Sequence, residues 1–173
     1  MNRMAWAAAA FAATAFLVGL ALTGGRNGPG FEPFVPQGLL TMPIGDVREV
    51  DVTAPRGHWH FVRAQYGWRA TEGTATAGFE ARLDEALRLL RNSGPERVLT
   101  AAEAAAAGAA QFGLGAPRLR VIINGASASP FAISFGATNP MGLSHYAKLD
   151  GSSEIALLPV YVAEQWERTG GGP

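Results

Sequence analysis

The spacing of apolar residues changes twice along this chain, and that constrains its fold more than any single motif. In DVREVDV, Asp46 to Val52, the apolar Val47, Val50 and Val52 are separated by charge. That pattern reads as a strand with one solvated face and a register irregularity. HWHFVRA, from His58, reads as a second strand after a turn at Pro55–Gly57, and Trp68-Arg69-Ala70 begins a third after Tyr66-Gly67. Connections this short make antiparallel neighbours, since a parallel crossover needs a dozen or more residues.

At Gly78 the period lengthens. Phe79, Leu83, Leu87 and Leu90 recur at helical spacing, with charged residues on the other faces, including the i,i+4 pair Asp84/Arg88. Asn92-Ser93-Gly94-Pro95 is a helix stop. Thr100-Ala-Ala-Glu103 is a capping box that opens a second, alanine-rich helix, which fails at Gly108 or frays before Phe112-Gly113.

After Pro117 the period returns to two. LRVIING ends in Asn124-Gly125, a two-residue hairpin signal, and FAISFG puts Phe131, Ile133 and Phe135 on one face. SHYAKLDG and EIALLP form a hairpin around Asp150-Gly151, and VYVAEQWER closes as an amphipathic helix presenting Val162, Ala163 and Trp166. The expected class is α+β: an antiparallel sheet built from a three-strand meander and a later four-strand meander, with two central helices and a C-terminal helix.

The first residues carry a different signal. MNRMAWAAAAFAATAFLVGLALTGG is uncharged from Met4 to Gly25. About 20 apolar residues, at 1.5 Å each, cover the roughly 30 Å hydrocarbon core of a bilayer. The run is longer than the h-region of a cleaved signal peptide, and no Ala-x-Ala cleavage motif leads directly into Arg26, so a retained anchor is expected. Arg3 on one side and Arg26, followed by Glu32, on the other lean towards a cytoplasmic N-terminus. The expected organisation is therefore a transmembrane anchor over residues 1–25, crossing the bilayer through residues 4–23, and a Gly/Pro-rich linker over 26–42. An exported α+β domain over 43–168 and a frayed tail over 169–173 follow. The linker's Phe31, Phe34 and Val35 are candidates for docking on the domain or on a partner. Small residues in the anchor, among them Ala7, Ala10, Ala13 and Gly19, would permit close helix packing, although alanine abounds throughout the chain.

Charge excludes some classes. The chain has 14 basic and 14 acidic residues and no basic excess, which argues against a nucleic-acid surface. Lys148 is its only lysine, and the Arg, Ala and Gly richness fits a GC-rich bacterial genome. It has no cysteine, which removes disulfides, thiolate metal sites and cysteine nucleophiles.

Candidate chemistry is sparse. His58 and His60 share one strand face, but a zinc site needs three or four ligands, and His145 is the only other histidine. Ser144 precedes His145 directly, hence faces the opposite side of a strand, and no nucleophile elbow is present. Gly136-Ala-Thr-Asn-Pro-Met-Gly142 lacks the lysine of a phosphate loop and reads as a turn fixed by Asn139-Pro140. In the following strand Tyr146 and Lys148 share one face, and His145, Ala147 and Leu149 the other. No catalytic, cofactor-binding or metal-ligating residues are assigned, and no enzyme activity or cofactor is expected.

The second half resembles the bacterial family DUF4340, a domain of unknown function. QFGLGAPRLRVII leads into a strand pair, followed by FGATNPMGLSHYAKLDGSSEIALLPVYVAEQW. The matching elements are Phe112, Gly113, Leu114, Pro117, Gly136, Asn139, Gly142, Tyr146, Ala147, Gly151 and Pro159, with Gly67-Trp68-Arg69 and Arg97-Val98 fitting the family's opening. The resemblance covers roughly Pro43 to Glu167. It implies a membrane-anchored envelope protein, often associated with ABC-type transport components of the gliding-associated kind, and supplies no catalytic residues. The expected function is a single-pass, periplasm-facing accessory protein of the bacterial inner membrane that binds another membrane or envelope protein complex. A periplasmic small-molecule or glycan-binding module is the alternative, and a hydrolase is disfavoured.

Overall fold

The computed structural model describes residues 12–14, 16–19, 35–126 and 129–170. The chain divides into two compact units, Met1–Val35 and Pro36–Pro173. In the first, residues 12–14 and 16–19 are helical, with Phe16, Leu17 and Val18 exposed. Most of the expected anchor, including Ala7 and Ala10, lies outside the described residues, as do Phe31 and Phe34. Among the described residues no helix is long and apolar enough to cross a membrane.

The second unit is α+β, with one eight-stranded antiparallel sheet. Its strands are β1 (Val47–Ala54), β2 (Gly57–Arg63), β3 (Trp68–Glu72), β4 (Arg97–Leu99), β5 (Leu119–Gly125), β6 (Phe131–Thr138), β7 (Ser144–Leu149) and β8 (Ile155–Pro159). They lie in the order β3-β2-β1-β5-β6-β7-β8-β4. Two meanders therefore miss part of the architecture. β1 pairs with β5 along most of its length, from Val47 opposite Gly125 to Thr53 opposite Arg120, which makes the sheet continuous. β4 is a further strand, pairing Arg97 with Leu157 and Leu99 with Ile155. A three-residue strand is too short to show a period, so only its pairing reveals it.

The irregularity expected in β1 is present. The register shifts between Val47 and Glu49, so Val47, Val50 and Val52 all reach the buried face despite their uneven spacing. Asn124-Gly125, by contrast, is not a hairpin turn. β5 runs through both residues to pair with Glu49 and Val47 of β1, and β6 begins only at Phe131. Gly125 is there for space: a Cβ would lie 2.6 Å from the Met42 sulfur.

Among the described residues three α-helices complete the unit: α1 (Phe79–Asn92), α2 (Ala101–Ala107) and α3 (Val160–Thr169). α1 buries Leu83, Ala86, Leu87 and Leu90, and α3 buries Val162, Ala163 and Trp166. Together they cover one face of the sheet, where Val50, Val52, Phe61, Val121, Ile123, Ile133, Phe135 and Leu158 complete the core. Phe79, half-buried, stacks on Phe61 with centroids 5.5 Å apart. The expected Asp84/Arg88 pair does not form. Asp84 turns inward to accept from the Trp68 indole at 2.9 Å, leaving Arg88 to Glu85 at 3.4 Å. Arg63 stacks 4.0 Å over the same indole and donates to the Ile44 carbonyl at 2.9 Å. Burial lowers its pKa, opposed by neighbouring Asp84.

Both boundaries of the domain move outward. Residues 36–42 are not a linker. Gly38 and Leu40 donate to the carbonyls of Arg91 and Leu90, Leu40 is buried, and the Arg91 guanidinium holds the Thr41 and Met42 carbonyls. At the other end Thr169 is buried and hydrogen-bonds back to the Trp166 carbonyl, while Gly170 lies against the Trp59 indole. The tail is thus docked through Gly170, and residues 171–173 lie outside the described residues.

Candidate functional site

Strand alternation sends Val50, Val52, Trp59 and Phe61 into the core, and therefore Asp51, Thr53, His58 and His60 to the opposite face. Direct pairing of Asp51 with His60 and of Thr53 with His58 brings the four together. His60 Nδ1 lies 2.7 Å from Asp51 Oδ1. Thr53 Oγ1 lies 3.0 Å from His58 Nδ1. His58 Nε2 is flanked by Asp51 at 3.7 Å and Glu72 at 3.6 Å. Two hydrogen bonds thus join β1 to β2 on this face, and the Glu72 carboxylate of β3 stands near His58 as a charge neighbour. Among the described residues no group of three or more His, Cys, Asp or Glu is arranged to hold a metal ion.

His145 and Ser144 part company, as neighbours on a strand must. His145 is buried on the core face of β7, its Nδ1 3.2 Å from the Gly136 carbonyl oxygen. Ser144 is fully buried on the other face and donates to Glu96 Oε2. The two side chains form no nucleophile–base pair. The turn between β6 and β7 is organised by Asn139, whose Oδ1 accepts from the backbone of Leu143 at 3.0 Å and of Ser144 at 3.2 Å. Gly142 supplies the left-handed conformation there, with φ of 73°.

That turn projects apolar side chains. Met141 is 76% exposed and Leu143 57%. The Leu143 carbonyl accepts from the backbone of Val160, which ties the start of α3 to this turn, and the next residue, Tyr161, is 48% exposed. Tyr161 is steadied by a hydrogen bond from its hydroxyl to Ser93 Oγ at 3.3 Å. Three large apolar side chains therefore share one end of the sheet. Proximity through the β7–β8 pairing, not any sequence motif, brings them together.

The outer face of β5, β6 and β7 holds a groove of about 610 Å³, lined by Leu114, Arg120, Ser134, Lys148 and the turn Asp150 to Ser153. One wall is the segment after α2. Phe112 packs edge-on against Tyr146 with centroids 4.8 Å apart. A Cβ at Gly136 would lie 2.1 Å from the Phe112 carbonyl oxygen, so glycine there lets this backbone lie directly on β6. No family model, curated protein or solved structure matches the chain.

Proposed function

We propose that the chain is a non-enzymatic accessory protein of the bacterial inner membrane. Residues 4–23 anchor it with the N-terminus in the cytoplasm, and its DUF4340-like domain stands in the periplasm and docks on another membrane or envelope protein complex, one associated with ABC-type transport. The observation that carries this reading is the exposed trio of Met141, Leu143 and Tyr161. Methionine and tyrosine are enriched at protein interfaces, and a cluster of large apolar side chains at one end of a domain is a typical docking feature. The uncharged run from Met4 to Gly25 and the exposure of Phe16, Leu17 and Val18 support the anchor. Anchoring restricts encounter to two dimensions, so a modest interface suffices.

Affinity purification of the full chain in mild detergent, read by mass spectrometry, tests the proposal. A stoichiometric membrane partner that is lost in the double variant Met141→Asp/Leu143→Asp, at unchanged melting temperature, is the expected result. Absence of any stoichiometric partner would overturn it, as would a turnover abolished by His58→Ala plus His60→Ala. A reporter fused after Pro173 that works only in the cytoplasm would overturn the topology.

A further inference from the structure

Strand register builds a feature on the open face that the docking reading leaves unused. Arg120 of β5 pairs directly with Ser134 of β6, and Ser134 pairs directly with Lys148 of β7. These three side chains form a single row across three strands, with a hydroxyl between two cations. Neighbouring strands lie about 4.8 Å apart, which puts the two cationic residues roughly 10 Å apart at their backbones. Their long side chains can converge on one ligand above Ser134.

The row forms the floor of the groove already described. Leu114 is one wall, and the β7–β8 turn with Asp150, Gly151, Ser152 and Ser153 is the other. A volume of about 610 Å³ lies within the range of small-molecule sites. Arg120 is tied in place, donating to Ser134 Oγ at 3.2 Å and pairing with Asp150. Lys148 is exposed, and its ammonium has no hydrogen-bond or ion-pair partner among the described residues. An ammonium left unpaired on a rigid strand is free to bind an anion.

We propose that this groove binds a sugar acid: a carboxylate and several hydroxyls on one small ring, free or as a unit of an acidic glycan. The charge balance selects that class. Two cations against one carboxylate leave a net charge of +1, which suits a monoanion better than a phosphate dianion or a polyphosphate. Asp150 would repel further negative charge but can accept from ligand hydroxyls, and the hydroxyls of Ser134, Ser152 and Ser153 can both donate and accept. The carboxylate sits between Lys148 and Arg120, and the ring hydroxyls face the serine-rich turn. Leu114 covers an apolar edge.

Amide NMR of the full-length chain, titrated in parallel with D-glucuronate, trigalacturonate, glucose and inorganic phosphate, tests the site. Both acidic probes should shift the amides of Arg120, Ser134, Lys148 and Gly151. Lys148→Ala should weaken them about tenfold, as expected for one lost charge-assisted hydrogen bond, whereas Lys148→Arg should keep most of the affinity. Tighter binding of trigalacturonate assigns the ligand to a glycan chain, and equal binding assigns it to the free sugar acid; either supports the proposal. Glucose or phosphate binding as well as glucuronate would overturn it, as would an unaltered affinity in Lys148→Ala. Lys148 lies outside the Met141/Leu143 surface, so loss of partner capture and loss of sugar-acid binding separate cleanly.

Discussion

Gly136 shows what a single hydrogen atom decides in this domain. Its backbone is not in the left-handed region, so its role is space: the Phe112 carbonyl oxygen occupies the position a Cβ would take. Gly136→Ala must push the Phe112–Gly113 segment off the sheet, and is expected to cost about 1–3 kcal/mol or more in urea denaturation. Trp166 presents the opposite case. It is fully buried, and its indole N–H has no partner among the described residues. A buried donor left unsatisfied costs about 1–3 kcal/mol, which offsets part of what the ring contributes by packing. Trp166→Phe should therefore change stability by less than about 1 kcal/mol, against about 3–5 kcal/mol for Trp166→Ala, both measured by denaturation. The core-facing Trp166 was legible from helical period, but its orphan donor was not, because periodicity says which way a side chain points and nothing about who meets it.

Among the elements, α2 depends least on tertiary support. It is short and buries none of its residues, so its capping box carries much of its stability. Glu103 accepts from the Thr100 backbone N–H at 2.8 Å and from its hydroxyl at 3.0 Å, and from Arg97 of β4 at 2.7 Å. These bonds, the Thr100 backbone first, hold its pKa below the usual carboxylate value. A depressed carboxylate contributes stability that is complete above its unfolded-state value and is lost as pH falls through the lower folded one. Hydrogen exchange of the α2 amides should therefore be pH-invariant in this sense above the ordinary carboxylate range. Protection beyond the intrinsic pH effect on exchange should fall below that range; Glu103→Gln should abolish the step, and Thr100→Ala, which keeps the backbone N–H and Arg97 bonds, should only reduce it. The capping box was plain in the sequence because its partners are three residues apart. Asn124-Gly125 misled for the converse reason. Its local preference for a tight turn yields to pairing with β1, where Glu49 and Val47 lie 75 and 78 positions earlier in the chain, and to the Met42 side chain packed against Gly125.

At the scale of the whole domain, the strap over residues 36–42 gives the most direct test. A linker tolerates any substitution; a docked strap does not. Leu40 is buried beside α1, so Leu40→Ala should cost about 2–5 kcal/mol, whereas a tether would show no change in the urea midpoint. The sequence by itself determined the α+β class, the antiparallel strands flanking two helices, the bulge in β1 and the turn at Asn139-Pro140. All of these follow from periods and turn chemistry within a few residues. Tertiary structure alone decided the pairing of β1 with β5, the edge strand β4, the inward turn of Asp84 to Trp68 and the docking of both domain ends. It also set Arg120, Ser134 and Lys148 in one row and tied the start of α3 to Leu143. Pattern within one strand fixes which face a side chain takes. Only the register between strands fixes its neighbours, and register is a global balance of burial and pairing that no local stretch encodes.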